Sequence, residues 1–306
     1  MNVAKGKAID VHSEADDAAR RARVLVEPEA LARELGATDL VVLDAQVELP
    51  SPRFDGDYRV ASGRDGWLAQ RVPGARHADL TAALSAPHAT LSFMRPAPAV
   101  LAQALGELGV SNTSRVVIYD RADGFWAARL WWMLRWIGIE ARVLDGGWRA
   151  WREADLPIES GPAQAVARGL IDVRERDGMW ADRADVEAIV AGELRSTLVC
   201  ALSAGVFAGE AASRYARRGH IPGSSNVPAR GLFDASGRYA AVSVLREALG
   251  ALDREQPVCV YCGGGISAAV DALALTLTGR GDVSIYDASW QEWAADLALP
   301  VVVGRG

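Results

Sequence analysis

An internal repeat constrains this chain more than any other feature. Val116-Val117-Ile118-Tyr119-Asp120 resembles Val258-Cys259-Val260-Tyr261-Cys262. Asp145-Gly146-Gly147-Trp148-Arg149-Ala150-Trp151 begins 25 residues after Asp120. Asp287-Ala288-Ser289-Trp290-Gln291-Glu292-Trp293 begins 25 residues after Cys262. Leu156-Pro157 and Leu299-Pro300 follow the two motifs. Upstream, Val72-Pro73-Gly74-Ala75 pairs with Ile221-Pro222-Gly223-Ser224. The copies open with Val26-Glu27-Pro28-Glu29-Ala30-Leu31 and Ala181-Asp182-Arg183-Ala184-Asp185-Val186. Matches in the same order at similar spacing indicate a duplication, and 306 residues suffice for two domains of about 150.

Within the first copy the pattern predicts a helix over Glu29–Leu35, an apolar strand over Leu40–Leu43 and a helix from Pro98 to Leu108. A strand at Val116–Tyr119, a helix over Phe125–Ile137 and a strand at Ala141–Leu144 follow. Short, continuously apolar strands alternating with helices predict an α/β fold, each copy a parallel sheet flanked by helices on both faces. The chain divides into a polar N-terminal tail over 1–23, a first domain over 24–159, a linker over 160–168 and a second domain over 169–303. The linker falls in a stretch holding Pro157, Gly161 and Pro162. Met1 to Arg23 is polar, lacks the apolar segment of a secretory signal and reads as disordered.

Composition prunes function. Half the residues are hydrophobic, and the net charge of −6 gives no basic footprint for nucleic acid. No apolar run of about 18 residues predicts a membrane span. The lysines are Lys5 and Lys7, both in the tail, so a Walker lysine or a Schiff-base lysine is missing from the expected domains. Three cysteines make no disulfide framework, and a reducing, cytoplasmic compartment is the default. Four scattered histidines and three cysteines show no metal-ligand spacing, and no cofactor is expected. His77 and His220 flank the Pro-Gly turns and read as structural hydrogen-bonders. Trp126, Trp131, Trp132 and Trp136 share one predicted helix and read as core or domain-interface residues.

Cys262 ends the predicted strand Pro257–Tyr261. Gly263-Gly264-Gly265-Ile266-Ser267-Ala268 follows, then a helix over Ala268–Leu277. A strand-loop-helix unit places the loop at the carboxyl end of the sheet, where open α/β folds bind ligands. Three glycines permit φ > 0 and let backbone N–H groups turn inward. Those donors and the helix N-terminus favour an anion at the sulfur. The bland alternative is an inert buried cysteine, the reading preferred for Cys200 and Cys259. Cys259 and Cys262 also spell C-x-x-C, but a nearly extended strand holds them too far apart for an easy disulfide.

These residues resemble a family. Cys262 to Ala268 is similar to the active-site loop of tandem-rhodanese-domain sulfurtransferases that use thiosulfate or 3-mercaptopyruvate. Gly219-His220-Ile221-Pro222-Gly223 resembles their G-H-I-P-G turn, and Ile285 to Trp293 their C-terminal tryptophan segment. The resemblance covers nearly the whole chain after the tail. It implies two rhodanese-like domains, the first non-catalytic and the second catalytic. Cys262 would take a sulfane sulfur as a persulfide, held by Gly263, Gly264, Gly265, Ile266, Ser267 and Ala268. Cyanide, a small thiol or a thioredoxin-like protein would accept it. Asp120, at the cysteine-equivalent place, cannot carry a persulfide.

Departures from the family pattern bear on the donor. Gly263 and Gly264 stand where thiosulfate-type members place cations, which favours the mercaptopyruvate type. That type places a hydroxyl where Gly264 stands, and a cleft arginine where Val206 stands. Arg214 matches the second cleft arginine. Arg214, Arg217 and Arg218 read either as a carboxylate clamp or as a solvated basic loop. Asp79 and His88 read as solvent-exposed loop residues, although the family places a His and an Asp near there. The alternative to an enzyme is a weakly active or non-catalytic sulfur carrier or binding module. A cysteine phosphatase would need arginine at the place of Ala268.

Overall fold

The computed structural model describes residues 14–88, 90–250, 252 and 255–304. The first half contains α1 (Glu14–Val24), β1 (Leu25–Val26), α2 (Pro28–Glu34), β2 (Leu40–Asp44), β3 (Val47–Glu48) and β4 (Ala61–Ser62). It continues with α3 (Arg64–Ala69), β5 (Arg76–His77), α4 (Pro98–Glu107), β6 (Arg115–Tyr119), α5 (Phe125–Trp136), β7 (Ala141–Leu144) and α6 (Gly147–Glu153). The second half contains β8 (Trp180–Ala181), α7 (Arg183–Ala191), β9 (Thr197–Cys200), α8 (Ala204–Phe207), β10 (Ser225–Asn226) and a 3₁₀ turn at Ala229–Leu232. It ends with α9 (Val242–Ala248), β11 (Val258–Tyr261), α10 (Ser267–Leu277), β12 (Val283–Tyr286) and α11 (Ser289–Ala295).

Each half builds a five-stranded parallel sheet, ordered β1-β7-β6-β2-β5 and β8-β12-β11-β9-β10. The two orders match strand for strand, as a duplication requires. The central strands β6 and β11 are buried over Val116–Tyr119 and Val258–Tyr261, which explains their unbroken apolar runs. α5 and α10 are buried on nearly all sides. They pack on each other between the two sheets, so neither has a face left for solvent.

The repeated tryptophan motif closes each sheet in the same way. Trp151 Nε1 donates to the Pro157 carbonyl at 2.9 Å and Trp293 Nε1 to the Pro300 carbonyl at 2.8 Å. The strand-end tyrosines hold the Pro-Gly turns: Tyr119 Oη accepts from the Val72 N–H and Tyr261 Oη from the Ile221 N–H. His220 is a structural residue, its Nδ1 2.9 Å from the Phe207 carbonyl and its ring stacked on Phe207.

The expectation of a disordered tail is corrected from Glu14 onward; residues 1–13 lie outside the described residues. Acidic residues begin α1 and Arg21 and Arg23 end it, which complements the helix dipole. Three of its charged residues, Asp17, Arg20 and Arg21, are bonded to groups elsewhere in the fold rather than solvated. Asp17 binds Arg246 at 2.6 Å, Arg21 pairs with Asp145, and Arg20 donates to the Leu277 carbonyl at 3.3 Å. The helix therefore lies across both halves. A polar composition marks a disordered segment only where no counter-charges await it.

Candidate active site

Cys262 is 2 % exposed and ends β11, immediately before the loop that leads into α10. Val258, Val260 and Cys262 belong to one hydrophobic cluster, and Cys259 and Tyr261 to another. The C-x-x-C cysteines thus face opposite sides of the sheet, as strand alternation demands. Burial pushes the thiols of Cys200 and Cys259 up to about 12, so both are inert at neutral pH.

Two constraints act on the three loop glycines: a left-handed backbone at Gly265 and close approach by neighbours. Gly265 has φ +77°, and a Cβ there would lie 2.9 Å from both Arg129 Nη1 and the Asp287 carbonyl. A Cβ on Gly263 would overlap the Tyr215 hydroxyl. A Cβ on Gly264 would lie 3.1 Å from the Gln291 amide nitrogen. Positive φ at all three glycines is therefore not what the loop uses; close approach by neighbours explains two of them.

The first half shows what this loop does with an anion. Asp120 occupies the place of Cys262, five residues before α5 as Cys262 is five before α10. Its carboxyl accepts N–H bonds from Ala122 and Gly124 at 2.9 Å and from Ala127 at 2.8 Å. Burial pushes the Asp120 carboxyl above its ordinary value, and these three donors oppose the shift. The counterparts of Ala122 and Gly124 are Gly264 and Ile266. The first loop is a cradle filled by its own side chain. Beside it, Arg121 is tied up at 3.1 Å by Asp44.

Residues not singled out from the sequence hold the second loop in place. Ser289 Oγ accepts the Cys262 N–H at 3.2 Å and donates to the Tyr286 carbonyl at 2.7 Å. The N–H groups of Trp290 and Gln291 donate to the carbonyls of Cys262 and Gly263. Ser289 has φ +56°, the conformation that Gly147 adopts at the same repeat position with φ +55°. A serine accepts that strain where its hydroxyl is needed. From the first half, Arg129 binds Asp287 at 2.7 Å and reaches the Gly265 carbonyl at 3.5 Å. Gln291 pairs with the backbone of Ser92 through two bonds of 3.0 Å. The signal for Arg129 was a charge in the middle of a tryptophan-rich helix whose second charge, Arg135, lies in the last turn.

The basic run after Ser213 separates into three roles. Arg217 donates to the carbonyls of Trp293, Ala294, Asp296 and Leu299, a purely structural role. Arg218 pairs with Asp55 at 2.8 Å. Arg214 donates one nitrogen to the Pro50 carbonyl at 3.1 Å and lies 5.8 Å over the Tyr58 ring. Its Nη1 is buried without a partner. Next to it, burial and the nearby Cys262 push the Tyr215 phenol well above its ordinary value, which leaves the hydroxyl protonated beside the loop. Val206 lies on α8 and brings no charge. His88 is exposed and accepts N–H bonds from Thr90 and Leu91, and Asp79 binds Thr81, so both are used locally.

The matched repeats, the Asp-to-Cys exchange and the glycine loop define a duplicated α/β protein whose second repeat carries a cysteine where the first carries Asp120. The rhodanese-like domain family matches residues 27–154 and 157–296, and the chain belongs to that family. It is 32 % identical over 279 residues to the 3-mercaptopyruvate sulfurtransferase of Escherichia coli K12, covering 89 % of this chain and 95 % of the relative. It is 31 % identical over 264 residues to the thiosulfate sulfurtransferase of Gallus gallus, covering 83 % and 86 %. The crystal structure of SseA from Escherichia coli, described as a 3-mercaptopyruvate sulfotransferase, superposes with a TM-score of 0.76 at 30 % identity, covering 87 % of this chain and 98 % of that one. Among the described residues no helix is long and apolar enough to cross a membrane.

Proposed function

We propose that the protein is a sulfurtransferase that carries sulfur on Cys262. The observation that supports this most directly is the contrast between Asp120 and Cys262. The first loop satisfies its inward N–H groups with its own carboxyl. The second loop has the same length, and no internal acceptor takes the N–H groups of Gly264 and Ile266 among the described residues. Those donors are available for an anionic sulfur.

The Cys262 thiolate attacks the transferable sulfur of the donor. With thiosulfate the S–S bond breaks and its electron pair leaves on sulfite. With 3-mercaptopyruvate the C–S bond breaks, the electron pair goes to carbon, and a proton there completes pyruvate. Either route leaves a Cys262 persulfide, its terminal charge facing Gly264 and Ile266. An acceptor thiolate or cyanide then attacks the outer sulfur and releases the Cys262 thiolate. Arg214, with its unpartnered buried Nη1, orients the donor's carboxylate from the far end. The acceptor is a small thiol or a thioredoxin-like protein, and the working compartment is the reducing cytoplasm, where three free cysteines are at home.

Intact mass spectrometry tests the reading. A reduced sample incubated with either donor gains one sulfur. Cys262→Ser removes the gain, whereas Cys259→Ser and Cys200→Ser retain it. Loss of the gain in Cys259→Ser would favour a dithiol mechanism instead. A slow carrier is the second reading, favoured by the 2 % exposure of Cys262. It predicts full sulfur uptake with little turnover.

A further inference from the structure

At the opposite end of α10 from Cys262, a cavity of about 270 Å³ opens between the two halves. The eleven residues of α10 separate the two places by roughly 16 Å of helix. Arg20 and Arg23 of α1, Arg135 of α5, Arg176 and Arg280 line the cavity, with Glu140 as the acidic member of the lining. We propose that this cavity is a binding site for a phosphate-type dianion, either inorganic phosphate or the phosphate of a small phosphomonoester.

The arginines are not needed to satisfy the helix ends they surround. Around the end of α5, the carbonyls of Met133, Leu134, Arg135, Trp136 and Ile137 accept backbone N–H bonds. Those of Ala274, Leu275 and Thr276 in α10 do the same. Arg20 adds one bond to the Leu277 carbonyl. The guanidinium charge is therefore surplus to capping.

At Arg23, Arg135 and Arg176 it is also poorly neutralised, whereas Arg20 and Arg280 have acidic partners. Arg23 and Arg135 make no salt bridge among the described residues. Arg176 reaches Glu140 only at 3.9 Å, and the Glu140 side chain is 93 % exposed, where water screens the pair. Asp17, the partner of Arg20, is shared with Arg246. Asp282 pairs with Arg280. Burial first, and Arg176 second, push the Arg135 guanidinium below its ordinary value, with Glu140 opposing them. Like charges converging on a cavity in a chain of net charge −6 need a counter-anion of matching geometry. Guanidinium groups supply planar paired donors for phosphate oxygens. About 270 Å³ holds a phosphate or a small ester with its bridging waters. Because α1, α5 and α10 all contribute walls, the anion fastens the two halves together.

The test is calorimetric titration with inorganic phosphate, then with glycerol phosphate, at ionic strength held constant with sodium chloride. Saturable binding is expected, with Tm raised by about 5 °C at a hundredfold excess over Kd. A tighter Kd for glycerol phosphate than for phosphate would identify the monoester as the ligand, and the reverse would identify the free ion. Arg23→Gln, on the exposed face of α1, and Arg176→Gln should each weaken binding about tenfold with an unchanged unliganded Tm. Arg135→Gln should remove it. Cys262→Ser should bind as the parent does. Absence of saturable binding, or binding that survives in Arg23→Gln and Arg176→Gln alike, overturns the proposal. Loss of binding in Cys262→Ser overturns it too, by placing the anion at the catalytic loop.

Discussion

Arg129 of the first half and Asp287 of the second form a 2.7 Å ion pair with both side chains almost fully buried, at 1 % and 2 % exposure. The pair lies directly behind the cysteine loop. Arg129 also donates to the Phe93 carbonyl at 2.8 Å and stacks 4.9 Å over Trp180. Asp287 accepts in addition from the Arg95 N–H at 2.9 Å. In the first half, Asp145 accepts the Tyr239 N–H at 2.9 Å and pairs with Arg21. Each repeat's aspartate thus bonds to a group of the other repeat.

Removing one member of the buried pair leaves the other charge without its partner. Arg129→Gln should destabilise the protein by about 3–5 kcal/mol, measured by denaturant unfolding. Sulfur uptake at Cys262 should slow as well, because the Gly265 carbonyl loses its brace. Asp287→Asn keeps the shape and should cost less than Arg129→Gln, since Arg129 retains the Phe93 carbonyl.

Ser289 couples backbone strain to the Cys262 N–H. Ser289→Gly removes the strain and the hydroxyl together, so stability should stay within about 1 kcal/mol of the parent. Ser289→Ala keeps the strain and loses both hydrogen bonds, and should lower stability by about 1–3 kcal/mol. Both should slow persulfide formation in a single-turnover assay. Equal stability of the two variants would show that the left-handed φ carries no cost.

Asp271 lies fully buried in α10, and neither carboxyl oxygen has a hydrogen-bond partner. Burial pushes its carboxyl well above the ordinary value, so the folded state holds the proton. An acid raised in the folded state stabilises most below its unfolded value, about 3.9, and that contribution is lost as pH rises toward the folded value. Asp271→Val removes the titration. The stability advantage of the variant over the parent should therefore widen by up to about 1.4 kcal/mol per pH unit above pH 4. Thermal unfolding between pH 4 and pH 8 reads the trend, and a constant difference would mean that Asp271 does not titrate in this range.

Donor choice follows from where the positive charge lies. The loop from Gly263 to Ala268 has no cation, and Arg214, outside the loop, has a buried Nη1 with no hydrogen-bond partner. The kcat/KM for 3-mercaptopyruvate should exceed that for thiosulfate with the same thiol acceptor. Arg214→Ala should raise KM for 3-mercaptopyruvate about tenfold or more. Gly264→Ser places its Cβ 3.1 Å from the Gln291 amide, which can give way, and should raise kcat by supplying a hydroxyl. A clear preference for thiosulfate in the parent would refute the assignment.

The duplication, the alternation of strands and helices, and the position of Cys262 were legible in the sequence because each is local. An apolar strand, a glycine run and a repeated aspartate-tryptophan motif keep their meaning within a few residues of chain. The division of labour among the arginines was not legible. Arg214, Arg217 and Arg218 are neighbours in sequence, yet Arg214 meets the Pro50 carbonyl, Arg217 caps four carbonyls of its own half and Arg218 pairs with Asp55. The reasons for Gly263 and Gly264 were hidden too, since they depend on Tyr215 and Gln291 approaching from elsewhere. Residues 14–23 looked like a solvated tail until their partners, Asp145, Arg246 and Leu277, were brought to them by folding. Local propensity writes the elements into the chain, whereas the pairing of buried charges depends on which distant groups the packed halves bring within 3 Å.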